Sequence, residues 1–263
     1  MYNPDGHKNR RIEGENDVAL LDVRSVSKNF GAIRALTDVS MTVDAGEVVG
    51  LMGDNGAGKS TLVKLIAGNF PPNEGEVAVN DEVCHFHKPI EARAKGIEVV
   101  YQDLAIADNL TAAQNVFLGR EIVKGPWPFS VLDKQAMIDR AGELFAELKS
   151  ETRPSDLVRK MSGGQRQAVA IARTRLSNAQ LVLMDEPTAA ISVRQVAEVL
   201  ELIRRLKAQG VAVMLISHRM PDIFAVCDRI IVLRRGTKVA DKHTVKTSPE
   251  EITGLITGAI RAA

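Results

Sequence analysis

The sequence predicts an α/β fold built on a mostly parallel sheet with helices on both faces, and two observations predict it. Short continuous apolar runs at 48–52, 181–184 and 211–216 lack the alternation of a half-wet strand, so each reads as a strand buried on both faces. Helical patterns intervene: Val196, Val199, Leu200, Ile203 and Leu206 recur on one face, with Gln195, Glu198, Arg204 and Arg205 largely off it. Strands alternating with helices are the order of a parallel sheet covered on two sides.

Composition agrees and narrows the class. The 263 residues suffice for one large α/β domain or two small ones. Hydrophobic residues make up 45% and charged residues 25%, an ordinary balance with ample core material. Lys and Arg number 34 against 33 acidic residues, so no basic excess points to nucleic acid. The apolar runs fall far short of the ~20 residues of a spanning helix. Residues 2–17 are polar and charged, unlike a signal peptide. Cys84 and Cys227 match no metal or redox spacing and are expected reduced and partly buried. A soluble cytoplasmic chain is expected.

Along the chain, residues 1–17 carry Gly, Pro, Asn and the run Lys8-Asn9-Arg10-Arg11 without apolar periodicity, the composition of a disordered tail. The stretch 105–160 is rich in helix formers, is broken by Gly125-Pro126-Trp127-Pro128, and contains no buried-strand run, so a helical insertion is expected there. Ser248-Pro249-Glu250-Glu251 starts a helix, with a capping Ser, Pro at the first position and Glu three residues after the Ser.

The chemistry begins at Gly53-Asp54-Asn55-Gly56-Ala57-Gly58-Lys59-Ser60, which fits G-x-x-x-x-G-K-[ST]. It follows the apolar run at 48–52 and opens a helical pattern at Thr61, the context this motif needs. Glycines let the backbone wrap a phosphate with its N–H groups aimed inward. Lys59 brings charge to the β- and γ-phosphates, and the Ser60 hydroxyl is a ligand for Mg²⁺. A nucleoside triphosphate is the expected ligand. Asp185 and Glu186 end the run at 181–184, at the strand end where open sheets hold ligands. Beside a phosphate loop they read as a carboxylate near Mg²⁺ (Asp185) and one polarising the attacking water (Glu186).

Met161-Ser162-Gly163-Gly164-Gln165 precedes a helix-like stretch, a second anion-binding element. Standing between the phosphate loop and the acidic pair, it resembles the LSGGQ signature of ABC (ATP-binding cassette) ATPases. The resemblance covers about residues 20–245 and implies the rest of the site. Gln102, in Val99-Val100-Tyr101-Gln102, resembles the Q-loop glutamine that touches Mg²⁺ and links two subdomains; His218 resembles the switch histidine at the γ-phosphate; Phe30 holds the place of the aromatic that stacks on adenine, with a core Phe as the alternative. It also implies a P-loop NTPase fold with an antiparallel β portion and a helical subdomain. The division expected is a tail at 1–18, the nucleotide-binding domain at 19–245 with its helical subdomain at about 103–175, and a C-terminal helix at 246–263. ATP would lie between the phosphate loop of one subunit and Ser162–Gln165 of another, a second cassette that is an identical copy, as in a homodimer, or a related chain. Two residues depart from the pattern: Met161 replaces Leu, a swap of similar volume, and Ser192 replaces an Asp through which subunits sense each other.

Tyr101-Gln102-Asp103-Leu104-Ala105, Asn115-Val116-Phe117-Leu118-Gly119-Arg120-Glu121 and Thr188-Ala189-Ala190-Ile191-Ser192-Val193-Arg194-Gln195 resemble the bacterial monosaccharide importers, most nearly the single-cassette, fructose-type members. That likeness implies integral-membrane permease subunits as partners, held along 102–121, an extracytoplasmic sugar-binding protein acting indirectly, and a peripheral place on the cytoplasmic face of the inner membrane. The alternative is a non-transport ABC ATPase of the kind that assembles iron–sulfur clusters.

Overall fold

The computed structural model describes residues 19–101, 104–126, 128–189 and 191–260; the expected tail and Gln102 lie outside these ranges. Six strands form the central sheet, in the order β12 (Thr237–His243), β11 (Arg229–Arg234), β3 (Val48–Met52), β10 (Ala212–Ile216), β9 (Leu181–Asp185), β6 (Ile97–Val100). All neighbours run parallel except β11 with β12. The three runs legible in the sequence thus lie side by side as β3, β10 and β9.

Their unbroken apolarity has a direct cause. Val48, Met52, Val213, Leu215, Val182 and Met184 enter one core, while Val49, Leu51, Met214, Ile216, Leu181 and Leu183 enter another on the opposite face. With both faces covered, no polar residue is tolerated at either parity. The first face packs under α5 (Gly163–Leu176) and α6 (Val193–Ala208), with α4 (Lys134–Glu147) laid against α5 in the same core. The second packs under α1 (Lys59–Ile66) and a four-stranded antiparallel sheet, β2 (Ile33–Val43), β1 (Leu21–Phe30), β4 (Glu74–Val79), β5 (Glu82–Cys84).

Register places the strand ends. Ile216 pairs with both Asp185 and Leu51, so the segments leaving β3, β9 and β10 emerge together along one edge of the sheet. Helices α2 (Pro89–Ala94) and α7 (Met220–Val226) flank β6 and β10 in sequence. Cys84 and Cys227 are free and buried, and burial pushes the Cys227 thiol far up.

The stretch expected as a helical insertion also carries a short hairpin. Between α3 (Ala112–Val116) and α4, two-residue strands β7 (Val123–Lys124) and β8 (Val131–Leu132) pair antiparallel. Their four residues are exposed, so no burial pattern announced them. Among the apolar residues here, Val116 and Phe117 are core, whereas Leu118 is exposed. Asn115 is wholly buried and fully used: Nδ2 donates to the carbonyls of Ala107 and Thr111, and Oδ1 accepts from the Ala107 N–H. It closes the loop before α3, since a buried amide left unpaired costs about 1–3 kcal/mol per group.

Near the end, Ser248 accepts from the Glu251 N–H and Pro249 opens α8 (Pro249–Thr257), which stops at Gly258 in the left-handed region (φ 82°). Ile252 and Leu255 seat it on the first core.

Candidate nucleotide site

The segment after β3 turns back on itself and enters α1 at Lys59. It is clamped between β2 and the β11–β12 turn: Gly236 donates to the Ala57 carbonyl at 3.0 Å, and Thr37 donates to the Gly236 carbonyl at 2.8 Å. Gly58, at φ 103°, caps α1; a Cβ there would lie 2.8 Å from the Ala35 carbonyl oxygen. At Gly53 a Cβ would collide with the Leu233 carbonyl. These two glycines are therefore required by the neighbouring backbone as well as by any phosphate. Asp54, Asn55, Gly56 and Ser60 are exposed, Thr61 is half-buried, and Ala57 is buried beneath the loop.

Lys59 folds over the loop, its Nζ donating to the carbonyls of Gly53 at 2.7 Å and Asp54 at 3.0 Å. Burial lowers its ammonium pKa below the ordinary value, and the charges of Glu186, Asp54 and Asp185 oppose that shift. Asp185 is raised, first by burial and then by the Glu186 charge. A crowded carboxylate pair of this kind fits a divalent cation, which would relieve the repulsion. Ser60 on α1 and Asp185 on β9 are oxygen donors suited to Mg²⁺, which is usually held by one or two carboxylates, substrate phosphates and water. Among the described residues no three His, Cys, Asp or Glu side chains are placed to hold a metal ion together, and such a magnesium site needs no such set.

Glu186 lies just past β9 with left-handed backbone (φ 50°), an unfavourable state for a non-glycine residue. Its N–H donates to the Ile216 carbonyl at 2.9 Å, which ties the loop to β10. Its Oε2 lies 2.8 Å from His218 Nδ1 and 3.4 Å from the His218 backbone nitrogen. The structure thus brings Lys59, Asp185, Glu186 and His218 to one sheet edge.

Supporting residues went unnoticed in the sequence. Thr188 Oγ1 donates to Asp222 Oδ2 at 2.6 Å, both side chains buried, and Arg219 Nε stands 3.2 Å from the same oxygen. Gln167 of α5 donates to the Pro187 carbonyl at 2.6 Å. These bonds anchor the Glu186 loop to α7 and α5. A Thr, a Gln and an Asp far apart along the chain carry no sequence signal of mutual contact.

Ser162 and Gln165 form a capping box at the start of α5: Ser162 Oγ accepts from the Gln165 N–H at 3.3 Å, and Gln165 Oε1 accepts from the Ser162 N–H at 2.9 Å. Gly163 and Gly164 fill the turn between them, and a Cβ on Gly164 would collide with the Glu198 carboxylate of α6. An open cavity of about 740 Å³ between α5 and α6 is lined by Ser162, Gly164, Gln165 and Glu198, and by no residue of the phosphate loop. Ser192, at the position where Asp was expected, caps α6 and bonds with Gln195 in the same reciprocal way.

Phe30 is 45% exposed at the end of β1, so the alternative of a core residue does not hold. It meets Phe70 edge to face at 5.2 Å, and Lys28 Nζ lies 5.5 Å and 5.0 Å from the two ring centres. Gln102 cannot be placed, being outside the described residues.

A glycine-rich loop between strand and helix, with a carboxylate pair at the end of a parallel strand one removed in the same sheet, defines a P-loop nucleotide-binding protein. Residues 36–189 match the ABC transporter family, and the chain belongs to it. It is an ATPase, as the resemblance implied. Among its relatives, the xylose/arabinose import ATP-binding protein XylG of Sulfolobus acidocaldarius is 44% identical over 90% of this chain and 94% of its own length. The ribose import ATP-binding protein RbsA of Geobacillus kaustophilus is 41% identical over 91% of this chain, which spans only 48% of that protein. An ATP-binding cassette of an ABC transporter solved in its ADP conformation superposes with a TM-score of 0.77, at 25% identity over 91% of this chain and 95% of the other. A dimeric cassette in a post-hydrolysis state with ADP and Pi gives 0.68, at 26% identity over 85% and 98%.

Proposed function

We propose that this chain is the ATP-hydrolysing subunit of a monosaccharide importer, working with separate permease subunits on the cytoplasmic face of the plasma membrane. The identity to a xylose/arabinose import protein along nearly the whole of both chains carries this reading. Within the monosaccharide class it favours a pentose as cargo, and it favours transport over iron–sulfur assembly. The sugar would be delivered by an extracytoplasmic binding protein and would not touch this chain. No helix among the described residues is long and apolar enough to cross a membrane, so the passage itself falls to the permease.

Within the site, Lys59 and the N–H groups of 53–61 would hold the phosphates, Ser60, Asp185 and Gln102 would ligate Mg²⁺, and Phe30 would support the base. Magnesium would supply charge to bridge and neutralise the phosphate oxygens. Glu186 would take the proton of the attacking water, with His218 orienting its carboxylate and reaching the γ-phosphate. Residues 19–245 would form the nucleotide-binding unit, with 103–175 as its helical part and α8 closing it.

The cavity beside the Ser162 turn excludes the chain's own phosphate loop, which supports a composite site completed by a second copy. Specific ATPase activity should therefore rise with protein concentration until dimers saturate, and Ser162→Arg should remove that rise by filling the γ-phosphate position. Activity strictly linear in enzyme down to high dilution would count against shared sites.

Uptake of labelled xylose, arabinose and ribose, measured in cells with and without the gene, tests the biological task. Loss of one uptake activity is expected. Intact uptake of all monosaccharides together with impaired iron–sulfur enzymes would replace the importer with the assembly factor.

A further inference from the structure

Two short stretches of chain lie side by side at the sheet edge and are joined at both ends. One runs from Glu186 to Thr188, the other from His218 to Asp222. At one end Glu186 Oε2 lies 2.8 Å from His218 Nδ1. At the other, Thr188 Oγ1 donates to Asp222 Oδ2 at 2.6 Å. The two contacts close a ring. Each arm is stiffened just before the tether, since Pro187 precedes Thr188 and Pro221 precedes Asp222, and each proline has its φ fixed.

The ring accounts for how two otherwise poorly held residues keep their places. Glu186 has a left-handed backbone (φ 50°), which persists only where neighbouring bonds over-determine it. Its N–H bond to the Ile216 carbonyl fixes the approach, the Ala189 N–H closes a turn onto the Glu186 carbonyl at 3.1 Å, and the Thr188 tether fixes the exit. His218 is the second case. Its side chain is 68% exposed, so packing does not hold the ring. The backbone on either side does: the Arg219 N–H donates to Oγ of buried Ser217 at 3.0 Å, and Arg219 Nε stands 3.2 Å from the tethering oxygen of Asp222. Thr188 and Asp222 are themselves 1% and 3% exposed, shut away from a nucleotide lying over the exposed phosphate loop. Any part they take in turnover runs through the residues at the other end of the ring.

We propose that Asp222 is a positioning residue for hydrolysis, holding Thr188 and Arg219 so that the Glu186 carboxylate and the His218 imidazole stay in contact. The proposal rests on the reading of Glu186 as the base and adds the residue that sets its aim. A general base must stand within hydrogen-bond reach of its water, and a misplacement of ~1 Å can cost on the order of 10²-fold. With the tether cut, the backbone at Glu186 is free to relax out of the left-handed region and carry the carboxylate away from His218. The phosphate loop at 53–60 takes no part in the ring, so the loss falls on kcat and not on ATP affinity.

The test uses the full chain with three substitutions. Thr188→Val keeps the shape and removes the donor, Asp222→Ala removes the acceptor, and Thr188→Ser keeps the hydroxyl. Each is also made in a His218→Ala background, and Glu186→Gln is measured alongside. ATP affinity is titrated, kcat is measured at protein concentrations where specific activity has saturated, and thermal unfolding checks the fold. Thr188→Val and Asp222→Ala should each lower kcat about tenfold with ATP affinity within about twofold, while Thr188→Ser stays within about twofold of wild type. In the His218→Ala background the first two should cost less than about twofold, because the contact they protect is already gone. A role in stability alone predicts lower unfolding temperatures with kcat unchanged, and that result would overturn the proposal. So would a full tenfold loss in the His218→Ala background. Should Asp222→Ala fail to fold, Thr188→Val, which leaves no cavity, decides. Glu186→Gln turning over like wild type would overturn the base reading and this proposal together. Glu186→Gln inactive, with Thr188→Val at the wild-type rate, would overturn the proposal alone.

Discussion

Removal of the Lys59 ammonium, as Lys59→Ala, should weaken ATP binding by about 100-fold, with little change in folding. Among the described residues Nζ bonds only to the carbonyls of Gly53 and Asp54 in its own loop, so its loss leaves the clamp from β2 and the β11–β12 turn intact. The cost falls on the ligand. Deleting one partner of a desolvated charged contact typically costs about 2–5 kcal/mol, and about 2.7 kcal/mol corresponds to the hundredfold expected. Burial has already lowered the Lys59 pKa, and phosphate oxygens would restore the preference for its charged form. Titration of purified wild type and variant with ATP and Mg²⁺, followed by calorimetry, measures the difference. Thermal unfolding without nucleotide provides the control and should agree within a few degrees. Equal affinities would show that the loop at 53–60 does not hold the phosphates.

The parts of this site legible in sequence are those whose chemistry is local. The phosphate loop declares itself in eight consecutive residues, and the acidic pair follows a strand whose apolar run is forced by two covered faces. The antiparallel sheet was expected only through family likeness, and its strands show why. The pairing of β1 with β2 shifts register between Val23 and Val26, between Val26 and Lys28, and between Lys28 and Asn29, which destroys the alternation that would reveal a strand. The β7–β8 hairpin is silent because it buries nothing. Asn115, part of the segment that resembles the monosaccharide importers, is a buried amide whose three hydrogen bonds close a loop. Polar pairs such as Thr188 with Asp222 depend on the tertiary fold to meet. The Gln165 side chain is taken up in the cap of α5, where its Oε1 accepts from the Ser162 N–H, a local task that the residue type alone does not reveal. Ser192 likewise has a local task at the N-terminus of α6, which accounts for its presence without the Asp.

The largest effect on turnover is expected from Glu186→Gln, which should retain ATP binding while kcat falls by about 10²–10⁴, the usual contribution of a general base. Glutamine has nearly the same shape and can still accept from the His218 backbone, so the geometry around Ile216 and His218 should persist. The left-handed backbone at this position is imposed by the Glu186 N–H bond to β10 and does not depend on the side-chain charge. What the amide lacks is the ability to take a proton from water. Removing the negative charge also relieves its repulsion with Asp185 and with incoming phosphates, so ATP should bind at least as tightly and dimers closed around it should accumulate. Phosphate release in steady state, together with size-exclusion chromatography in ATP and Mg²⁺, reads both halves of the expectation. A variant that hydrolyses ATP near the wild-type rate would place the base elsewhere. His218→Ala, which removes the ring 2.8 Å from Glu186 Oε2 but leaves the carboxylate, should retain more activity than Glu186→Gln if the histidine orients the base and does not replace it.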